Sequence, residues 1–80
     1  MDERERKVKE IVSKIIKVPI DAIVRGDDLV DKHAMDSLAR VEIVTELEKA
    51  FDITIDESLI VRLRTIDQFL ELISEQMPKR

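Results

Sequence analysis

The chain has 80 residues, enough for one small domain, and carries 14 basic against 18 acidic side chains for a net charge of −4. That balance argues against a binder of nucleic-acid phosphates, and two phenylalanines, Phe51 and Phe69, with no Trp or Tyr, offer no base-stacking surface. The lack of cysteine excludes disulfides and thiolate metal sites, and no apolar run approaches membrane-spanning length.

Val8, Ile11, Val12, Ile15 and Ile16 recur at helical spacing and predict a first helix, opened by an Asp2/Glu5 pair with the spacing of a capping box. Pro19 ends it, because the ring disfavours helical geometry at Val18. A long connection runs from Val18 to Asp36. Gly26, Asp27 and Asp28 are turn formers within it, and Ile20, Ile23, Leu29 and Val30 can pin it down. A loop of this length in a small domain is expected to be packed and functional.

A second helix is predicted from Ser37 to Phe51, with Asp36 as N-cap. At 100° per residue, with Ile43 at zero, Leu47, Phe51, Val44 and Ala50 fall between about −20° and 100° and form a core stripe. Leu38, Val41 and Thr45 fall at about 160–220°, on the far side. Those aliphatics are either a seam covered by the long loop or a surface left open for a partner. Residues 51–56 alternate like a strand, but a lone strand has nothing to pair with, so they read as an extended link. Asp56 caps a short helical turn, Glu57 to Arg62. Thr65 and Gln68 form a capping box before Ile66, Phe69, Leu70, Ile73 and Met77, and Pro78 closes the chain. The fold class is all-α: a small bundle of three main helices and one short helix, with a long loop between helices 1 and 2, in a single domain spanning residues 1–80.

The acidity gathers in the middle, with a net of −3 over residues 18–36 and −4 over residues 37–61, against +2 over residues 1–17. Such a face either attracts basic partners over a Debye length of ~8 Å or is an ordinary solvated surface. Asp31, His33 and Ser37 supply the residue types of a hydrolase triad, but they crowd into seven residues and no Gly-rich elbow surrounds the serine. His33 is expected at the loop surface. Asp21, Asp27, Asp28 and Asp31 match no calcium-loop spacing, and Gly26, the single glycine, makes no phosphate loop. No catalytic residue and no metal ligand is assigned, and no enzyme activity is expected. Glu42 and Glu46, one turn apart on an exposed face, suit partner contacts better than acid–base work.

Ser37 stands out because it puts a primary hydroxyl at the first turn of a helix. Unpaired backbone N–H groups and the positive end of the helix dipole meet there, a favourable field for a phosphate ester. The segment Ala34-Met35-Asp36-Ser37-Leu38 resembles the modification site of acyl carrier proteins, whose Asp-Ser-Leu serine carries 4′-phosphopantetheine. The likeness extends through Val41-Glu42-Ile43-Val44 and residues 47–53 to Ile55-Asp56-Glu57 and Thr65-Ile66, which fall where that family starts its third and fourth helices.

The resemblance implies that a phosphopantetheinyl transferase, supplying the base and Mg²⁺, uses coenzyme A to esterify Ser37. The arm's thiol then carries acyl groups as thioesters for fatty-acid, polyketide or related specialised biosynthesis. It further implies docking of transferase, acyl ligase or synthase partners through Asp36, Leu38, Val41, Glu42 and Glu46 of a monomer; the charged N-terminal residues 1–7, with no apolar run, lead to the expectation of a cytoplasmic chain. The family usually has acidic-Leu-Gly before the motif, where this chain has Lys32-His33-Ala34-Met35; Ala39 and Arg40 follow Leu38 where acidic and polar residues are common; and Thr45 takes a usually apolar position. These departures imply a specialised carrier. The rival readings are an unmodified helical interaction module and a peptidyl or aminoacyl carrier, although the latter usually shows Gly-Gly before the motif.

Overall fold

The first helix, α1 (Glu3–Ile16), starts where Asp2 accepts a hydrogen bond from the Glu5 amide at 2.8 Å. The reciprocal half of a capping box is replaced: Glu5 turns its carboxylate to Lys9, 3.1 Å away, and to Arg25, 3.0 Å away. Lys9 is buried, and this pairing satisfies its ammonium. Val8 and Val12 carry the helix's fully buried face. This computed structural model describes residues 2–77, so Pro78 lies outside the described residues.

The long connection is not continuous loop. Pro19 leads into a single 3₁₀ turn, Ile20–Ala22, and a five-residue helix, α2 (Leu29–His33), comes next. Periodicity could not reveal α2 because five residues give little more than one turn. It forms because Asp28 caps it, accepting from the amides of Val30 and Asp31, and because Leu29 is buried. The third helix, α3 (Ser37–Phe51), has the bounds and the Asp36 cap expected from sequence. Among its residues Ile43, Val44 and Leu47 are buried and Phe51 is half-buried. Ala50, expected in the core stripe, is exposed: it lies at the stripe's edge, turned away from the direction shared by the three buried residues.

Residues 52–56 make no strand, and the described residues contain none. Ile53 and Ile55 are nonetheless buried, and the Ile55 amide is satisfied by Glu48 Oε2 at 2.8 Å rather than by a neighbouring strand. The short helix α4 (Glu57–Ile60) is capped by Asp56, and α5 (Ile66–Gln76) opens with the complete Thr65/Gln68 capping box. Phe69, Ile66 and Ile73 pack with Val8, Val12, Ile43 and Leu47 in one aliphatic core. The architecture is thus all-helical, with three main helices, α1, α3 and α5, framing that core.

Candidate functional site at the start of helix α3

Three consecutive residues turn the backbone that presents Ser37. Helix α2 ends at Ala34 in the left-handed region (φ 55°, ψ 37°), Met35 drops into the core, and Asp36 returns to extended backbone. Asp36 Oδ1 accepts from the Ala39 amide at 2.8 Å and its carbonyl accepts from the Arg40 amide at 3.0 Å. The amides of Ser37 and Leu38 are left without a protein partner among the described residues, and Ser37 is exposed. An anion ester-linked to this serine would meet two free N–H groups and the positive end of a 15-residue helix. Within the first turn of α3 no side chain is acidic, and the nearest carboxylate, that of the Asp36 cap, is engaged by the Ala39 amide. The site therefore fits a phosphodiester.

Around the serine the structure keeps the second apolar face open. Leu38 is 68% exposed and Val41 49% exposed, so the loop does not cover them. Asp36, Glu42 and Glu46 are exposed on the same helix, so all five residues expected to dock partners are accessible. Thr45, also exposed, donates its hydroxyl to the Val41 carbonyl at 2.9 Å, one turn back on α3. An open groove of about 670 Å³ runs between α1 and α3, with Ile11, Ile15 and Val41 as its apolar lining and Lys7, Lys14, Glu42 and Glu46 among its charged residues.

No hydrogen bond joins Asp31, His33 and Ser37 among the described residues; Asp31 instead approaches Arg64 at 3.5 Å. His33 departs from the surface position expected for it. It is half-buried at the end of α2, and its Nε2 is buried without a hydrogen-bond partner. The loop acids find bases: Asp27 pairs with Lys32 at 2.8 Å and Asp28 with Arg64 at 2.7 Å. Sequence reasoning marked Arg40 only as a departure after Leu38 and gave it no contact. It is half-buried, and its Nε donates to the Leu63 carbonyl at 2.8 Å. Its place at about 60° on the wheel, between Leu47 and Phe51, was the available signal.

The family model described as "Phosphopantetheine attachment site" matches residues 6–73. The chain belongs to the acyl carrier protein family. It is similar to the acyl carrier protein of Buchnera aphidicola, with 30% identity covering 99% of this chain and 100% of the relative. The acyl carrier protein of Desulforapulum autotrophicum is 37% identical over 90% of this chain and 95% of its own length. A polyketide-8 synthase acyl carrier protein of Streptomyces avermitilis is 29% identical over 90% and 86%. Acyl carrier proteins are carriers rather than enzymes, and the cofactor is covalently attached 4′-phosphopantetheine. None of the five helices among the described residues is long and apolar enough to cross a membrane.

Proposed function

We propose that Ser37 is the point of attachment and that the chain works as one carrier domain, residues 1–80. The observation that carries this reading is the exposed Ser37 hydroxyl at the start of α3, beside two unpaired amides and behind an Asp36 cap that leaves them free. Among the described residues no base is hydrogen-bonded to Ser37, so deprotonation of its Oγ falls to the modifying transferase. The arm supplies a thiol on which acyl groups travel as activated thioesters. The protein's own residues position and advertise that arm. Asp36 fixes the helix end, Leu38 and Val41 give a partner apolar area, and Glu42 and Glu46 attract its basic residues. Partners would be a phosphopantetheinyl transferase and acyl ligase, synthase or transferase enzymes. The cargo would be an acyl group of fatty-acid, polyketide or related specialised biosynthesis.

The test is direct. The protein is incubated with coenzyme A, Mg²⁺ and a broad-specificity transferase, and its intact mass is recorded. A pantetheinyl increment that disappears in Ser37→Ala supports the assignment. An increment that persists in Ser37→Ala, or none in the unaltered chain, overturns it, and the latter favours an unmodified interaction module.

A further inference from the structure

We infer that Arg40 is a phosphate-binding residue that holds the first atoms of the arm on Ser37 against the seam between α3 and Leu63; the inference rests on Ser37 being the attachment point. Arg40 occupies a direction on α3 that otherwise belongs to the core, close to those of Leu47 and Ile43. A guanidinium in such a place needs partners. It has one, the Leu63 carbonyl, 2.8 Å from Nε. Arg6, Arg25 and Arg64 each hold a carboxylate; Arg40, like Arg4 and Arg62, holds none among the described residues, but it alone of those three is bonded through its guanidinium to a backbone carbonyl. Its remaining donors are not among the fully buried unpaired polar atoms of the described residues, where His33 Nε2 is found. Arg40 thus has a head fixed at one edge and terminal N–H groups with no partner among the described residues.

Arg40 stands one turn after Ser37 on α3. Residues three apart on a helix are neighbours, and helical side chains lean toward the N-terminus, so Arg40 reaches back over the turn that begins with Ser37. A phosphodiester carries one negative charge on two free oxygens, the geometry that a guanidinium meets with paired hydrogen bonds. Its nearest acidic neighbour is Asp36, and Arg40 offsets that repulsion; the other base of α3, Lys49, stands at the opposite end beside Glu46. On the wheel Ser37 lies between Arg40 on one side and Val41 and Leu38 on the other. A phosphate drawn to Arg40 therefore leaves the Leu38–Val41 face clear for docking.

The experiment compares unaltered protein, Arg40→Gln and Arg40→Lys before and after modification, with complete modification verified first by intact mass. Absence of any mass increment in the unaltered protein overturns the Ser37 assignment, and the role of Arg40 falls with it. With the increment present, the spectroscopic and thermal readouts bear on Arg40 alone. They are the ³¹P shift of the phosphodiester, the ¹⁵N–¹H signals of the Arg40 guanidinium, and the change in Tm on modification. Modification should shift the Arg40 signals. Arg40→Gln should move the ³¹P resonance and abolish the change in Tm, and Arg40→Lys should restore part of both. A role confined to the Leu63 bond would lower Tm equally before and after modification, which overturns the inference. So do Arg40 signals unchanged by modification in the unaltered protein, a comparison that stands even where Arg40→Gln fails to fold.

Discussion

Asp28 and Arg64 lie 36 positions apart in sequence yet meet at 2.7 Å, Oδ2 to Nε, while the other Asp28 oxygen caps α2. One carboxylate thus starts the short helix and ties it to the segment before α5. The Leu29 amide doubles the tie by donating to the Arg64 carbonyl at 2.7 Å. A second tie lies alongside, where Arg25 contacts Asp67 and Glu5 and its carbonyl accepts from the Asp67 amide. The loop that leads to Ser37 is held by ion pairs at its turns and by Leu29 and Met35 in the core.

This arrangement predicts a pH-dependent contribution from Asp28. The hydrogen bond from Arg64 holds its carboxyl below the ordinary value, and the amides of Asp31 and Val30 add to that effect. A lowered folded-state pKa stabilises the fold fully above the unfolded value of about 3.9 and ceases to do so as pH falls through the folded value. Asp28→Asn keeps a capping oxygen and loses the charge. It should melt below the unaltered protein at pH 7, with the gap closing as pH drops below about 4. A gap independent of pH from about 7 down to about 2 would contradict the assignment.

Asp36 is expected to act twice, as a cap and as a recognition residue. Asp36→Ala should cost about 1 kcal/mol in urea unfolding, the usual loss for an N-cap. Asp36→Asn should retain most of that stability while slowing modification by the transferase. If both variants slow modification only in proportion to their loss of stability, Asp36 has no separate part in docking.

Leu47 and Leu38 sit on the same helix with opposite exposures and should respond in opposite ways. Leu47 is fully buried, so Leu47→Ala should lose about 2–5 kcal/mol, a large fraction of the stability of an 80-residue domain. Leu38→Ala should stay within about 0.5 kcal/mol of the unaltered protein. Its effect should appear instead as weaker transferase kinetics. A Leu38→Ala variant with unchanged kcat/KM would remove Leu38 from the docking surface.

The contrast between these helices also explains what was legible in the sequence. Helix α3 was legible because Asp36 marks its start, a long apolar stripe runs along it and the extended link of residues 51–56 follows it. The same holds for α5, where Thr65 and Gln68 announce the start. Helix α2 was not legible, since a five-residue element has no period to detect and depends on Asp28 meeting Arg64 far along the chain. Ser37 was legible as a candidate site because its chemistry is local to a helix end. Arg40 was not, because its meaning depends on a carbonyl at Leu63, 23 residues away.

Ala34 offers the sharpest test of how the serine is presented. It ends α2 with φ at 55°, and the Ala34 amide donates to the Val30 carbonyl and the Met35 amide to the Leu29 carbonyl, each at 3.1 Å. This is the pairing of a helix end that normally favours glycine. An alanine held there costs roughly 1–2 kcal/mol, and a glycine would relieve that strain while losing about 0.5–1 kcal/mol to the entropy of its freer unfolded chain. Ala34→Gly should therefore be neutral to about 1 kcal/mol more stable by urea unfolding. Ala34→Val should be destabilised, because a β-branched side chain tolerates the left-handed region worse than alanine does. The turn at Ala34 sends Met35 into the core and sets Asp36 and Ser37 at the start of α3, so both variants also probe presentation of the hydroxyl. The glycine variant should be modified at least as fast as the unaltered chain, and the valine variant more slowly. Equal rates in all three would mean that the conformation at Ala34 serves the fold and leaves the serine's reactivity untouched.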